Sequence, residues 1–196
     1  MQSLDTKSKI IESVSQCVEA VQTLQSQEAL AFIESAALAL SSCLENGNKI
    51  LVAGNGGSYC DAMHFVEELT GFFRKRRKPL AAICLGDPGH LSCVSNDVGF
   101  EHVFSRLVEA YGKQGDCLIL LSTSGNSPNI VRAQEAGKLL GLTTIGFLGK
   151  DGGELKGACD LEWIVKGFST SDRIQEAHMA ACHVLIQMIE LILGLC

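Results

Sequence analysis

The sequence has no C-x-x-C pair, although it holds nine cysteines, an odd number scattered mostly through apolar runs. Neither a disulfide framework nor a thiolate zinc site is expected, and the cysteines read as reduced core residues in a cytosolic setting. No apolar core of a signal peptide lies within Met1 to Lys9, and long hydrophobic runs are missing throughout. The most apolar stretch, Val184 to Cys196, is interrupted by Gln187 and Glu190 and is too short to span a bilayer. Positive charge is scarce: 16 Lys and Arg stand against 22 Asp and Glu, and five of the 16 sit together in Arg74-Lys75-Arg76-Arg77-Lys78. Nucleic-acid binding, which needs distributed positive charge, is not expected from that balance, and the basic run reads as a solvated loop ahead of a strand. Nucleotide signatures fail as well. Gly54 and Gly56 are followed by Tyr59 where a dinucleotide fingerprint requires a third glycine, and the Gly-Lys pairs at 112, 137 and 149 lack the Ser or Thr that holds magnesium in a P-loop. No nucleotide or redox cofactor is expected.

What the chain does have is length for one real core, with 196 residues of which 46% are hydrophobic and 19% charged. Ile10, Ile11, Val14, Cys17, Val18, Val21 and Leu24 recur at three- and four-residue steps, an apolar stripe on a helix over 4–25. A second helical pattern covers 28–44. Together they form a helical hairpin, residues 1–47, ahead of a compact unit, residues 48–196. The stripe lies near the 3.5-residue seam suited to helix pairing, so a subunit contact is expected there. From 48 onward apolar runs at 49–53, 80–86, 116–122, 143–148 and 161–165 alternate with helical patterns at 58–73, 102–111, 128–140 and 172–194. That rhythm predicts an α/β fold: a three-layer α/β/α sandwich around a five-stranded, mainly parallel sheet. Ligands of such sheets bind beyond the carboxyl ends of the strands, which points to the loops after 53, 86 and 122.

Those loops carry the chemistry. Asn55-Gly56-Gly57-Ser58 turns the first strand into a helix, with glycine letting backbone N–H groups approach a ligand and Ser58 expected as the cap, a setting that favours an anion such as phosphate. On the same helix His64 and Glu68 share a face, with Asp61 beside them. Ser122-Thr123-Ser124-Gly125-Asn126-Ser127-Pro128 is a second anion cradle, in which Ser127 reads as N-cap and Pro128 as first helical residue. Asn96-Asp97 falls in a polar turn after the second strand, within reach of the same crevice. In the last helix Gln175 and His183 are eight residues apart and face the same way, while His178 reads as structural. A phosphate site next to an imidazole and a carboxylate suggests chemistry on a small phosphorylated molecule.

With Asn55-Gly56-Gly57-Ser58, Ser122-Thr123-Ser124-Gly125-Asn126-Ser127 and Arg173-Ile174-Gln175-Glu176 in view together, the sequence resembles the sugar isomerase (SIS) domain family, most closely its branch acting on seven-carbon sugar phosphates. The resemblance implies conversion of sedoheptulose 7-phosphate to D-glycero-D-manno-heptose 7-phosphate, towards the heptose of lipopolysaccharide. It also implies a cytoplasmic homotetramer with interfacial active sites and one zinc ion per subunit. By the same resemblance Asn55, Gly56, Gly57, Asn96 and Asp97 would contact the sugar phosphate, and Ser122, Thr123, Ser124 and Ser127 would hold the phosphate. His64, Glu68, Gln175 and His183 would be the zinc ligands, with Glu68 and Gln175 also touching substrate.

Moving a carbonyl from C2 to C1 requires removing a proton from C1 and delivering one to C2 through an enediol. A tuned carboxylate and an imidazole suit those tasks, with Glu68 as base and His183 as acid. The alternative is a non-catalytic SIS protein, a sugar-phosphate sensor or a partner of a replication initiator. Such a protein can dispense with acid and base, whereas this chain keeps His64, Glu68 and His183.

Overall fold

The structure is a computed structural model and describes residues 5–195. In chain order the elements are α1 (Thr6–Gln22), α2 (Gln27–Glu45), β1 (Ile50–Gly54), α3 (Gly57–Thr70), β2 (Ala82–Cys84), α4 (Pro88–Asp97), α5 (Ser105–Tyr111), β3 (Cys117–Ser122), α6 (Pro128–Leu139), β4 (Thr143–Gly149), β5 (Leu161–Val165) and α7 (Ser171–Ile192). The five strands form one sheet in the order β2-β1-β3-β4-β5, parallel at every pairing. Val52 lies opposite Cys84 on one side and Ile119 on the other, and Ile119 in turn opposite Ile145.

β1 and β3 are buried end to end because helices cover both faces, which is why both read as unbroken apolar runs. The two-residue period sorts their side chains. Ile50, Val52, Ile119 and Leu121 pack with α2, α3 and α7, and Leu51, Ala53, Leu118 and Leu120 pack with α5 and α6. From β1 the chain steps one way to β2 and then returns to place β3 on the other flank. The order reverses between β1 and β3, so the crevice at their carboxyl ends is the switch point of the sheet.

The hairpin expected over 1–47 divides into two roles. Ser26 caps α2 by accepting from Ala29 N at 3.2 Å, and α2 buries Phe32, Ile33, Ala36 and Leu40 in the sheet core. α1 lies outside, against α7, and buries only Ala20, leaving Ile10, Ile11, Val14 and Val18 half exposed or more. β2 is shorter than the apolar run at 80–86, as suits an edge strand. α4 was not expected. Asp87 caps it by accepting from His90 N at 3.0 Å with Pro88 as its first residue, but only Val94 is buried, so it has no apolar stripe to read.

Other expectations change at the level of single residues. Gly56, at φ 53°, is the N-cap of α3, so Ser58 lies inside the helix rather than at its cap. Arg77 leaves the otherwise exposed basic run and its buried side chain donates from Nε to Glu190 Oε1 at 2.6 Å. Cys60 and Cys93 are exposed, not core residues, and the cysteines among the described residues are free thiols. Among the described residues no helix is long and apolar enough to cross a membrane.

Candidate active site

Two turns and one helix end meet at the switch point. The β1–α3 turn brings Asn55, Gly56, Gly57 and Ser58, the β3–α6 loop brings Ser122, Thr123 and Ser127, and the start of α7 brings Ser171 and Gln175, around a cavity of about 230 Å³. The loops are locked by a mutual amide pair: Asn55 Nδ2 donates to Asn129 Oδ1 at 2.8 Å, and Asn129 Nδ2 donates back to Asn55 Oδ1 at 2.9 Å. The first turns of α3 and α7 and the N-cap residue of α6, Ser127, all border this space, so three positive dipole ends converge on it. No Lys or Arg lines it. The cavity is thus built to hold an anion by N–H and hydroxyl donors.

Ser127 is the N-cap residue of α6, as expected, and its hydroxyl makes no capping bond, so it is free to face the cavity. Thr123 Oγ1 and Ser171 Oγ lie 3.1 Å apart across the opening. Ser124 is not among the lining residues, and its Oγ instead accepts from Asn126 N at 3.2 Å within its own turn. Asn96 and Asp97 are not in a polar turn but at the end of α4, where Asn96 Nδ2 donates to Asp97 Oδ1 at 2.7 Å, and neither lines this cavity. An adjoining cavity of about 240 Å³ shares Asn55 and Ser127 and adds Phe100, Glu101 and Asn129.

The second cluster joins α3 to α7. His64 Nε2 lies 3.0 Å from His183 Nε2 and 3.5 Å from Glu68 Oε1, and one donor atom from each of the three residues falls within 4.8 Å of the others. Phe73 stacks on the His183 ring at 5.9 Å and 20°. Glu67 is distinguished from Glu68 by exposure: its side chain is 66% exposed and 3.9 Å from His64 Nδ1, whereas Glu68 is 18% exposed. Gln175 links the two parts. Its carboxamide lies over Gly57, where a β-carbon would stand 2.5 Å from Oε1, and it lines both the anion cavity and a cavity of about 570 Å³ with His183, Asp61, Glu176, Cys17 and Val21.

Asp61 belongs to this second cavity. Burial pushes its carboxyl up to about 6, against the pull of His64, and its Oδ2 has no partner. Asp61 is legible in sequence as sharing the face of His64 and Glu68, but without a task. Asn129 carries no sequence signal beyond its place as the second residue of α6, after Pro128. His178 is structural as expected, fully buried with Nε2 bonded to Leu148 O at 2.9 Å.

A doubly wound parallel sheet with two hydroxyl-bearing turns at its switch point is the architecture of a SIS domain, and the sequence model of the SIS domain family matches residues 11–149. A phosphoheptose isomerase of Fusobacterium nucleatum is 56% identical over 160 residues, which are 82% of this chain and 82% of that protein. The solved phosphoheptose isomerase of Neisseria gonorrhoeae superposes with a TM-score of 0.87 at 34% identity, over 95% of this chain and 99% of that one. That of Francisella tularensis gives 0.85 at 37%, over 97% and 100%. The chain belongs to the phosphoheptose isomerase family of SIS-domain proteins.

Proposed function

We propose that the protein interconverts sedoheptulose 7-phosphate and D-glycero-D-manno-heptose 7-phosphate through an enediol, supplying heptose for lipopolysaccharide. The observation that carries this reading is the link through Gln175 between an anion cavity free of basic residues and the His64, Glu68, His183 cluster. Ser122, Thr123 and Ser127, with the backbone of Gly56 and Gly57, hold the phosphate, and Ser124 contributes by fixing the turn. Asn55 and Gln175 orient the sugar. Asn96 and Asp97, at the end of the helix that precedes Phe100, line neither cavity, and their assignment to the sugar hydroxyls rests on the family likeness.

Glu68 is the base that takes the C1 proton. His183 is the acid that delivers a proton to C2, while the hydroxyl proton of O1 leaves as O2 gains one, so that no electrons are exchanged with a cofactor. Zinc fits the donor set. His64 Nε2 lies 3.0 Å from His183 Nε2 and 3.5 Å from Glu68 Oε1, and one donor atom of each of the three residues falls within 4.8 Å of the others, a spacing compact enough to share one ion. His64, Glu68 and His183 with Gln175 would hold one ion per subunit, and a bound zinc supplies polarisation of a carbonyl oxygen.

The same reading makes the protein a cytoplasmic homotetramer with its sites at subunit interfaces, with residues 1–47 providing assembly and 48–196 the isomerase unit. Because α2 is built into the core, the contact falls to α1 and its uncovered apolar residues, next to the cavity that Cys17 and Val21 share with His183. The test is to incubate purified protein with sedoheptulose 7-phosphate in deuterated water and follow the aldose by NMR. Aldose carrying deuterium at C2 is expected. Tight binding of the sugar phosphate without turnover would overturn the reading in favour of a sensor.

A further inference from the structure

Arg77 enters the seam between α3 and α7 and uses its guanidinium as a fork. Besides the 2.6 Å bond from Nε to Glu190, Nη2 donates to Glu68 O at 2.8 Å and Nη1 to Leu69 O at 2.8 Å, with Lys78 O at 3.1 Å and Gly71 O at 3.4 Å. Glu68 and Leu69 lie in the last turn of α3, whose carbonyls lack i+4 donors within the helix; Leu69 O already accepts from Leu80 N at 2.9 Å, so the cation adds a second donor there and supplies one to Glu68 O, at the negative end of the dipole. Both Arg77 and Glu190 side chains are 3% exposed. A buried ion pair of this kind gives little net stability, because desolvating two charges offsets most of their attraction. What a planar five-donor group does give is a fixed geometry.

That geometry bears on the active site. The carbonyl of Glu68 itself is held, His64 lies one turn earlier, and Glu190 is seven residues beyond His183, two turns along the same face of α7. Phe73, in the same connecting segment, covers the His183 ring. We infer that Arg77 is a positioning residue of the isomerase: by fastening the end of α3 to Glu190 of α7 it sets where Glu68 and His64 stand relative to His183. This inference rests on the function proposed above.

Arg77→Lys keeps the charge and loses the fork. It is expected to lower kcat for sedoheptulose 7-phosphate about tenfold or more and to weaken Zn²⁺ affinity of the full chain, read by chelator competition, by about tenfold, the usual effect of losing an outer partner of a ligand shell. KM stays within about twofold, since the phosphate cavity is built by other loops. Glu190→Gln keeps shape and an accepting oxygen. It moves kcat and zinc affinity in the same direction by about threefold, as charge assistance is lost from one hydrogen bond, and it decides the matter if the lysine variant does not fold. A purely structural role lowers Tm but leaves the kcat of folded protein and its zinc affinity at wild-type values. That result in Arg77→Lys, or in Glu190→Gln should the former not fold, overturns the inference. Zinc titration needs no turnover, so an inactive wild-type protein would defeat the functional reading while the role of Arg77 is still decided.

Discussion

Glu67 and Glu68 are adjacent in the chain and about 100° apart on α3, so a helix can direct only one of them into the space shared by His64 and His183. Glu68→Gln keeps the volume but cannot take the C1 proton, and turnover is expected to fall by a factor on the order of 100 to 10,000, with metal content measured on the same sample. Glu67→Gln should stay within a few-fold of wild type. Solvent-hydrogen exchange at the substrate carbon decides between them, since loss in the Glu67 variant alone would move the base by one residue. The His64 to Glu68 spacing was legible from sequence because four residues make one helical turn. His183 was legible only as an imidazole on the face of Gln175, since nothing local says that it meets His64 at 3.0 Å. A second prediction concerns His178, between the rings of Phe147 and Trp163. Burial lowers its pKa to about 4, with the bond to Leu148 O acting the other way. The unfolded chain binds a proton near 6.5 and the folded one does not until about 4, so stability is fully present above about pH 6.5. It is lost as the pH falls towards 4, by at most about 1.4 kcal/mol per pH unit. His178→Gln keeps a donor for Leu148 O without titrating. Urea unfolding at pH 7, 6 and 5 should therefore show a shallower pH dependence in the variant, and equal slopes would mean that His178 charges in the folded protein.

Among the elements, the β3–α6 loop shows how far a run of similar residues can be resolved. Four hydroxyls read alike in sequence, yet the turn geometry gives Ser122 to Gly125 N at 3.1 Å and Ser124 to Asn126 N, and leaves Ser127 without a capping bond. Ser127→Ala is accordingly expected to weaken substrate binding by about 1 kcal/mol or more, roughly fivefold in KM, for one lost hydrogen bond to a charged group. Ser124→Ala should act through the turn and cost less. Steady-state kinetics on the two variants checks the order, and a larger effect at Ser124 would place the phosphate deeper in the loop than the cavity lining indicates. Helix α4 escaped the sequence reading for a related reason: a helix with one buried residue has no periodic stripe, and its Asp-Pro-Gly start also reads as a turn.

For the whole molecule the exposed face of α1 is the feature that a single chain leaves unexplained. Ile10 and Ile11 are both 58% exposed and Val14 is 57%. In the proposed tetramer this face is covered by another subunit, so the pair Ile10→Glu and Val14→Glu should yield a smaller particle by light scattering while circular dichroism remains that of the folded chain. An unchanged mass would assign the assembly to another surface. The amino-acid sequence by itself determined the strand and helix rhythm, the burial of β1 and β3 on both faces through their unbroken apolar runs, the two Gly- and Ser-bearing turns, and the acid-base residue types. These are local properties, written in spacings of two to four residues. The tertiary structure decided which apolar surface covers which: α2 joined the core and α1 stayed outside it. It took Arg77 out of a basic run into a buried pair 113 residues away, and it closed the His64, Glu68, His183 cluster across 119 residues. Periodicity states that a face is apolar but not what lies against it. That is set by the order β2-β1-β3-β4-β5, a property of long-range pairing that no short stretch of sequence encodes.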